Sequence, residues 1–222
     1  MAVPIKIDFV SDVACPWCAV GLKSLEEAMA RVGPELQVEL HFQPFELNPQ
    51  MPAEGEDAVE HLTRKYGISA EQAAQNGEAI RARGAALGFE FRMDLRRHVY
   101  NTFDAHRLLH WAGLEGPERQ LALKHALLRA YFTEGEDVSS AATLVQLAVE
   151  AGLDGARARQ ILETDGFADD VRRQESFYAS QGITAVPSVI FNDRHLVQGG
   201  QPVELFEQAL RQLSGIPAPV SA

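Results

Sequence analysis

Cysteine is scarce: the 222 residues hold two, Cys15 and Cys18. No second Cys-x-x-Cys and no paired histidine cluster accompanies them, and His41 and His195 stand alone in sequence. A four-ligand zinc site would therefore lack its other half, and no metal is expected. No apolar run approaches the ~18 residues that a membrane-spanning helix needs. The opening MAVPIKIDFV has no basic n-region, no long apolar h-region and no small-residue cleavage site, and it runs straight into strand-like sequence. A cytoplasmic location is the expectation. Positive charge is also short, 20 Lys and Arg against 31 Asp and Glu for a net charge of −11, which argues against nucleic acid or an anionic membrane as a partner. The chain contains no internal repeat.

What remains is an ordinary globular composition, 46% hydrophobic and 23% charged, in a chain long enough for a sizeable core. The two cysteines sit two residues apart, as Cys15-Pro16-Trp17-Cys18, just after a strand-like run. Val3, Ile5, Ile7 and Phe9 alternate with Lys6 and Asp8, the period of a half-buried strand. After Cys18, Leu22, Leu25, Met29 and Val32 recur at helical steps. Pro16 suits the first turn of that helix, where a missing N–H costs nothing. Cys15 then stands at an exposed helix tip, where free amides and the helix dipole favour a thiolate. Cys18, one turn on, shares the face of Leu22 and Leu25 and should be the more buried. The spacing permits a disulfide without backbone movement. A structural disulfide in so short a loop would constrain the unfolded chain little. A redox-active dithiol is the leading reading, with inert or structural cysteines and half a metal site as the alternatives.

A second strand is predicted at Leu36 to Phe42, which with the helix before it makes a βαβ unit of parallel strands. From about Ala53 to Gly182 helix formers dominate, and glycines punctuate the run. Helices are predicted at about 54–66, 69–87, 94–112, 117–132, 139–151, 155–163 and 167–181, with Asp94, Ser139 and Asp154 as N-caps and no strands among them. Strand character returns in Ser188 to Phe191 and His195 to Gln198, joined by a turn at Asn192-Asp193-Arg194. Gly199-Gly200-Gln201-Pro202 opens a last helix through Leu205, Phe206, Leu210 and Leu213, and residues 216–222 (IPAPVSA) read as a disordered tail. The fold class is α/β, in the order β-α-β, a large all-helical insertion, then β-β-α.

Val186-Pro187 directly precedes the third strand, a place where a proline is tolerated. The strand–CPWC–helix start, the ITAVPS segment and the GGQP before the last helix together resemble the thioredoxin-fold proteins of the DsbA group. Within that group, PFELNP (44–49) and NTFDAHRLLHWA (101–112) resemble the cytoplasmic FrnE-like branch, related to 2-hydroxychromene-2-carboxylate isomerases. The resemblance runs from Ile5 to about Leu213. It implies a thioredoxin-like domain in two parts, 1–52 and 183–215, split by a helical insertion at 53–182. It also implies that Pro187 is cis, with the Val186 backbone available to an extended peptide, and that Asn101 and His106 approach the active-site cleft. Without the resemblance, Asn101 and His106 read equally well as a helix polar face or a buried hydrogen-bonded pair.

The activity implied is thiol–disulfide exchange on protein or peptide substrates, with Cys15 as nucleophile and Cys18 as the resolving thiol. Pro16 and Trp17 would tune the potential, although Trp17 reads equally as a structural cover for the dithiol. Beyond the dithiol no cofactor is expected, and glutathione is a candidate co-substrate. A monomer or a homodimer fits equally. The related isomerases carry serine where Cys15 stands, which favours redox chemistry here. A glutathione-dependent isomerase or transferase on a small aromatic substrate is the second reading, and a non-enzymatic peptide-binding chaperone the third.

Overall fold

Strand β1 (Val3–Ser11) feeds helix α1 (Pro16–Val32), which returns the chain to strand β2 (Leu36–Pro44), parallel to β1 from Val3 opposite Leu36 to Ser11 opposite Pro44. The structure is a computed structural model and describes residues 2–217. At the other end of the chain, β5 (Ser188–Phe191) and β6 (His195–Gln198) form the expected hairpin, and β5 lies antiparallel to β1. The sheet order is β2-β1-β5-β6. Helix α9 (Val203–Ser214) packs on α1 and on β1.

Central position changes the character of β1. Alternation predicts one wet face, yet every residue from Ile7 to Ser11 is buried. Ile7 and Phe9 join the main core, while Val10 packs with Tyr178 and Ile183 in a smaller cluster. Asp8 is buried too, and it survives there through the Lys6 ammonium at 3.0 Å and the Gln43 amide at 2.7 Å. Each large apolar side chain so enclosed contributes about 1.5–3 kcal/mol.

Between β2 and β5 the helices are α2 (Ala58–Tyr66), α3 (Ala70–Ala85), α4 (Phe103–Glu115), α5 (Pro117–Arg129), α6 (Ala141–Glu150), α7 (Gly155–Glu163) and α8 (Ala168–Ser180). The all-helical reading of this stretch needs correction. β3 (Glu56–Asp57) pairs antiparallel with β4 (His98–Val99). A two-residue ladder is too short to leave an alternation in sequence, and its partners lie some forty positions apart. The helix predicted from residue 54 begins at Ala58, capped by the Asp57 carboxylate on the amides of Val59 and Glu60. The helix predicted over 94–112 begins at Phe103, because Asp94 folds back onto Arg92 with bonds of 3.0 and 2.8 Å and caps nothing. Ser140, not Ser139, precedes α6; the Ser139 amide and hydroxyl are both taken by Asp137. Asp154 caps α7 as expected, on the Arg157 amide. After Arg129 the helix widens into a π-helical turn, Ala130–Glu134, that buries Tyr131 and Phe132. At the tail, Ile216 is buried in the main core, which corrects the disorder predicted there; residues 218–222 lie outside the described residues.

Helices α4, α5 and α8 meet β2, so the helical stretch and the sheet share one continuous core. Gln120 makes that junction. Its Oε1 accepts from the Phe42 amide at 3.0 Å and its Nε2 donates to the Phe42 carbonyl at 3.1 Å, so a side chain supplies both bonds that a neighbouring strand would. An edge strand is thereby closed.

Candidate active site

The turn joining β1 to α1 carries the site. Asp12 heads it: the Cys15 amide donates to the Asp12 carbonyl at 3.3 Å, and the Ala14 amide to Asp12 Oδ1 at 3.2 Å. Cys15 is the N-cap residue of α1 in an extended conformation, Pro16 occupies the first turn, and the Cys15 carbonyl accepts from the Cys18 amide at 3.0 Å. Both cysteines are free thiols.

The expected exposed tip is corrected here. Cys15 is only 4% exposed and Cys18 not at all, whereas Trp17 between them is 41% exposed. The segment before β5 covers Cys15: the Val186–Pro187 bond is cis, and the Cys15 Sγ lies 3.8 Å from the Val186 carbonyl oxygen. Two glycines let this cover close. A Cβ on Gly21 of α1 would stand 3.0 Å from Pro187 Cγ, and one on Gly200 would stand 3.0 Å from the Trp17 carbonyl oxygen. The Gly199 amide donates to the Pro187 carbonyl at 2.8 Å, tying the two covering loops together.

The two thiols are driven apart in acidity. Hydrogen bonding from Cys18 is the largest influence on Cys15 and lowers its pKa, with the amides of Cys18 and Trp17 adding to it, against burial and the charge of Asp12. Burial pushes Cys18 well up, and the Cys15 thiolate pushes it further, while the Lys124 cation opposes. Of the two thiols Cys15 is thus the more acidic.

Beneath them lies a cluster of buried charge that sequence reading missed in large part. Asp12 is 1% exposed and His106 2%, with His106 Nε2 3.5 Å from Asp12 Oδ1. The other Asp12 oxygen accepts from the Leu47 amide at 2.7 Å, which ties the 44–49 loop to the site. Burial alone would raise the Asp12 carboxyl; His106 first, then the Leu47 amide and Thr102, hold it below its ordinary value. Lys124 of α5 is wholly buried nearby, with its ammonium 5.6 Å from the centroid of the Phe42 ring. Its signal was in the sequence: Gln120, Leu123, Lys124, Leu127 and Leu128 form one buried stripe at helical spacing, with a lysine where an apolar residue belongs. His106, by contrast, is where the family resemblance led one to look. The Asn101 Oδ1 accepts from the Phe103 amide at 2.9 Å and its Nδ2 donates to the Met51 carbonyl at 3.3 Å. Asn101 and His106 do not form the buried pair that was one alternative. Among the described residues no group of three His, Cys, Asp or Glu side chains is placed to hold a metal ion.

A four-stranded mixed sheet with a Cys-x-x-Cys helix facing a cis-proline loop, and helices inserted between its two halves, defines a thioredoxin-fold protein. Comparison with known proteins narrows this. The family model of the DSBA-like thioredoxin domain matches residues 6–211, and the chain belongs to that family. Among solved structures it is similar to the probable DsbA oxidoreductase SCO1869 from Streptomyces coelicolor, at 38% identity and a TM-score of 0.89 over 98% of this chain and 93% of that one. Among curated proteins it is 31% identical to the uncharacterized protein YwbO of Bacillus subtilis, over 95% of this chain and 96% of the relative. The fold extends to a 2-hydroxychromene-2-carboxylate isomerase, with a TM-score of 0.69 at 13% identity over 96% of this chain and all of the other.

Proposed function

We propose that the protein is a thiol–disulfide oxidoreductase acting on protein or peptide substrates through Cys15 and Cys18. The observation that carries this reading is the placing of two free thiols one helical turn apart, Cys15 at the N-cap of α1 with its Sγ 3.8 Å from the Val186 carbonyl oxygen and Cys18 wholly buried, in a chain of the DsbA-like family. In the reducing direction the Cys15 thiolate attacks a substrate disulfide, one substrate sulfur leaves as thiolate, and Cys18 then displaces the second from the mixed disulfide. The reverse sequence oxidises a substrate dithiol. The Val186 carbonyl beside Cys15 Sγ supports a role for the covering loop, including Pro187, in aligning an extended substrate backbone. Half-exposed Trp17 offers the apolar contact next to the reacting sulfur.

The same reading has the protein working in the cytoplasm, where ambient thiols return the pair to the reduced state and glutathione serves as a co-substrate. Among the described residues no helix is long and apolar enough to cross a membrane. The test is reduction of insulin by the protein with a thiol reductant, alongside Cys15→Ser and Cys18→Ser. The expected outcome is activity in the wild type, none in Cys15→Ser, and a trapped substrate adduct on Cys15 in Cys18→Ser. Equal activity in Cys15→Ser and wild type would refute the assignment.

A further inference from the structure

Both backbone polar groups of Leu47 end on charged side chains. Its amide donates to Asp12 Oδ2 at 2.7 Å, and its carbonyl accepts from the Lys65 ammonium at 2.8 Å. Lys65 stands in the last turn of α2 and donates a second time, to Asn48 Oδ1 at 2.6 Å. The same oxygen meets Nε2 of the buried His61 at 3.1 Å, and His61 Nδ1 meets Glu56 Oε2 at 2.6 Å. Residues 45–55, between β2 and β3, form neither helix nor strand. Their main-chain polar groups must find partners elsewhere, and at Leu47 those partners are Asp12 and Lys65.

Acidic partners are plentiful on this chain, 31 Asp and Glu in all, yet among the described residues the Lys65 ammonium pairs with no carboxylate. Ordering its flexible stem costs entropy, and what the order secures is a loop. Burial works against the ammonium and lowers Lys65, while the charges of Asp12 and Cys15 raise it. Across the loop, Asp12 is 1% exposed; its Oδ1 accepts from the Ala14 amide at 3.2 Å and its carbonyl from the Cys15 amide at 3.3 Å. A line of hydrogen bonds therefore runs from Lys65 through Leu47 and Asp12 to the residue that carries the nucleophile.

We propose that Lys65 is a positioning residue for Cys15: it clamps the Leu47 peptide against Asp12, and the clamp keeps the Asp12 carboxylate paired so that its charge weighs less on the Cys15 thiolate. This role rests on the oxidoreductase reading above. Of the influences on Cys15, the Cys18 hydrogen bond is the largest and favours the thiolate, whereas the Asp12 charge disfavours it. A donor on Asp12 offsets that charge, and the Leu47 amide is such a donor. Without Lys65 the Leu47 carbonyl loses its ionic donor and the loop an anchor. The amide then draws away from Asp12, and the less compensated carboxylate holds the proton on Cys15. Lys65 acts through the loop, and not by touching the substrate. The titratable or charged groups within reach of Cys15 are Cys18 of α1, Asp12 of the preceding turn, Lys65 and Tyr66 of α2, and Lys124 of α5; His106 of α4 stands against Asp12.

The experiment is alkylation of Cys15 in the reduced protein by iodoacetamide, a neutral reagent from which the thiolate displaces iodide, with the rate followed against pH by peptide mass. Lys65→Met should slow the reaction at neutral pH by about fivefold and move its titration upward, while the plateau rate at alkaline pH stays the same. A general loosening of the fold would change the plateau instead. Lys65→Arg, which keeps a donor for the Leu47 carbonyl, should restore most of the rate. In an Asp12→Asn background Lys65→Met should change nothing, because the charge it manages is gone. An unchanged titration in Lys65→Met overturns the proposal. So does a loss that persists undiminished beside Asp12→Asn, since the lysine's own charge then acts without the clamp. Should Lys65→Met not fold, Asn48→Ala decides: it keeps the cation and removes one of its two anchors, so an upward titration supports the clamp and an unmoved one refutes it. A wild type that reduces no insulin fails the oxidoreductase reading alone, and the alkylation series still decides the clamp.

Discussion

Replacing Lys124 by methionine should make the protein more stable, although the side chain is wholly buried and central to the packing of α5. The two side chains have similar length and volume, so the apolar contacts of the stem persist and no cavity opens. What disappears is an amine with no hydrogen-bond partner, held near the Phe42 ring at 5.6 Å. The ring returns only about 1–2 kcal/mol of cation–π attraction. Exchanging buried ionic groups for well-packed apolar ones stabilises by about 1–4 kcal/mol, and a gain in that range is expected here. The sign of its pH dependence follows from burial, which lowers Lys124 from its ordinary 10.5. Between the folded and unfolded values the unfolded chain binds more protons, so wild-type stability climbs with pH through that window. The cost of the lysine is full below the folded value and vanishes toward 10.5, so the advantage of methionine shrinks as the solution becomes alkaline. Urea unfolding of both proteins at neutral and alkaline pH measures the difference, with equal m-values confirming a common reference. A loss of stability of 1 kcal/mol or more in Lys124→Met, on the order of an ordinary buried-contact deletion, would refute this account of the buried amine.

Limited alkylation of the reduced protein near neutral pH should modify Cys15 before Cys18, since the Cys15 pKa is lowered and the Cys18 pKa raised; peptide mass analysis reading the reverse order would overturn the assignment of nucleophile. Asp12→Asn removes a charged acceptor from the Leu47 amide and the partner of His106, and should cost about 1.5–3 kcal/mol in urea unfolding at neutral pH. Because the folded Asp12 lies below the ordinary carboxylate value of 3.8, its stabilisation is present above that value and fades as pH falls toward the folded one, so wild type and variant should converge in acid. The reduction potential should fall at roughly −180 to −240 mV, and Trp17→His should raise it by about 20 mV, the two-electron equivalent of about 1 kcal/mol, the small size reflecting solvent screening at a half-exposed position. No shift in a glutathione titration would mean that buried Asp12 and Lys124, not the dipeptide, set the thiolate.

Short-range patterns made most of the frame legible. Alternation in β1 and β2, helical spacing after Cys18, Pro16 at a helix start and the β5–β6 turn each reflect interactions between residues close in sequence, and each stands where it was expected. The errors cluster where a distant partner wins. Asp94 has an N-cap's side chain but spends it on Arg92, and the β3–β4 ladder depends on a pairing across some forty residues. Cys15 at a helix tip reads as exposed until the Val186–Pro187 loop, about 170 positions later, is laid over it.

By itself, the sequence determined the chemistry on offer and its local setting: two thiols one turn apart at the start of a helix, with one of them on the helix's apolar face. Only the tertiary structure decided how those thiols differ. Burial, the Val186 carbonyl, the Asp12–His106 contact and the Lys124 amine come from segments far apart in the chain, and electrostatic energies depend on distance through space and on the water excluded around each group. A lysine in an apolar stripe announces a conflict in the sequence. The fold decides that its amine lies wholly buried without a hydrogen-bond partner.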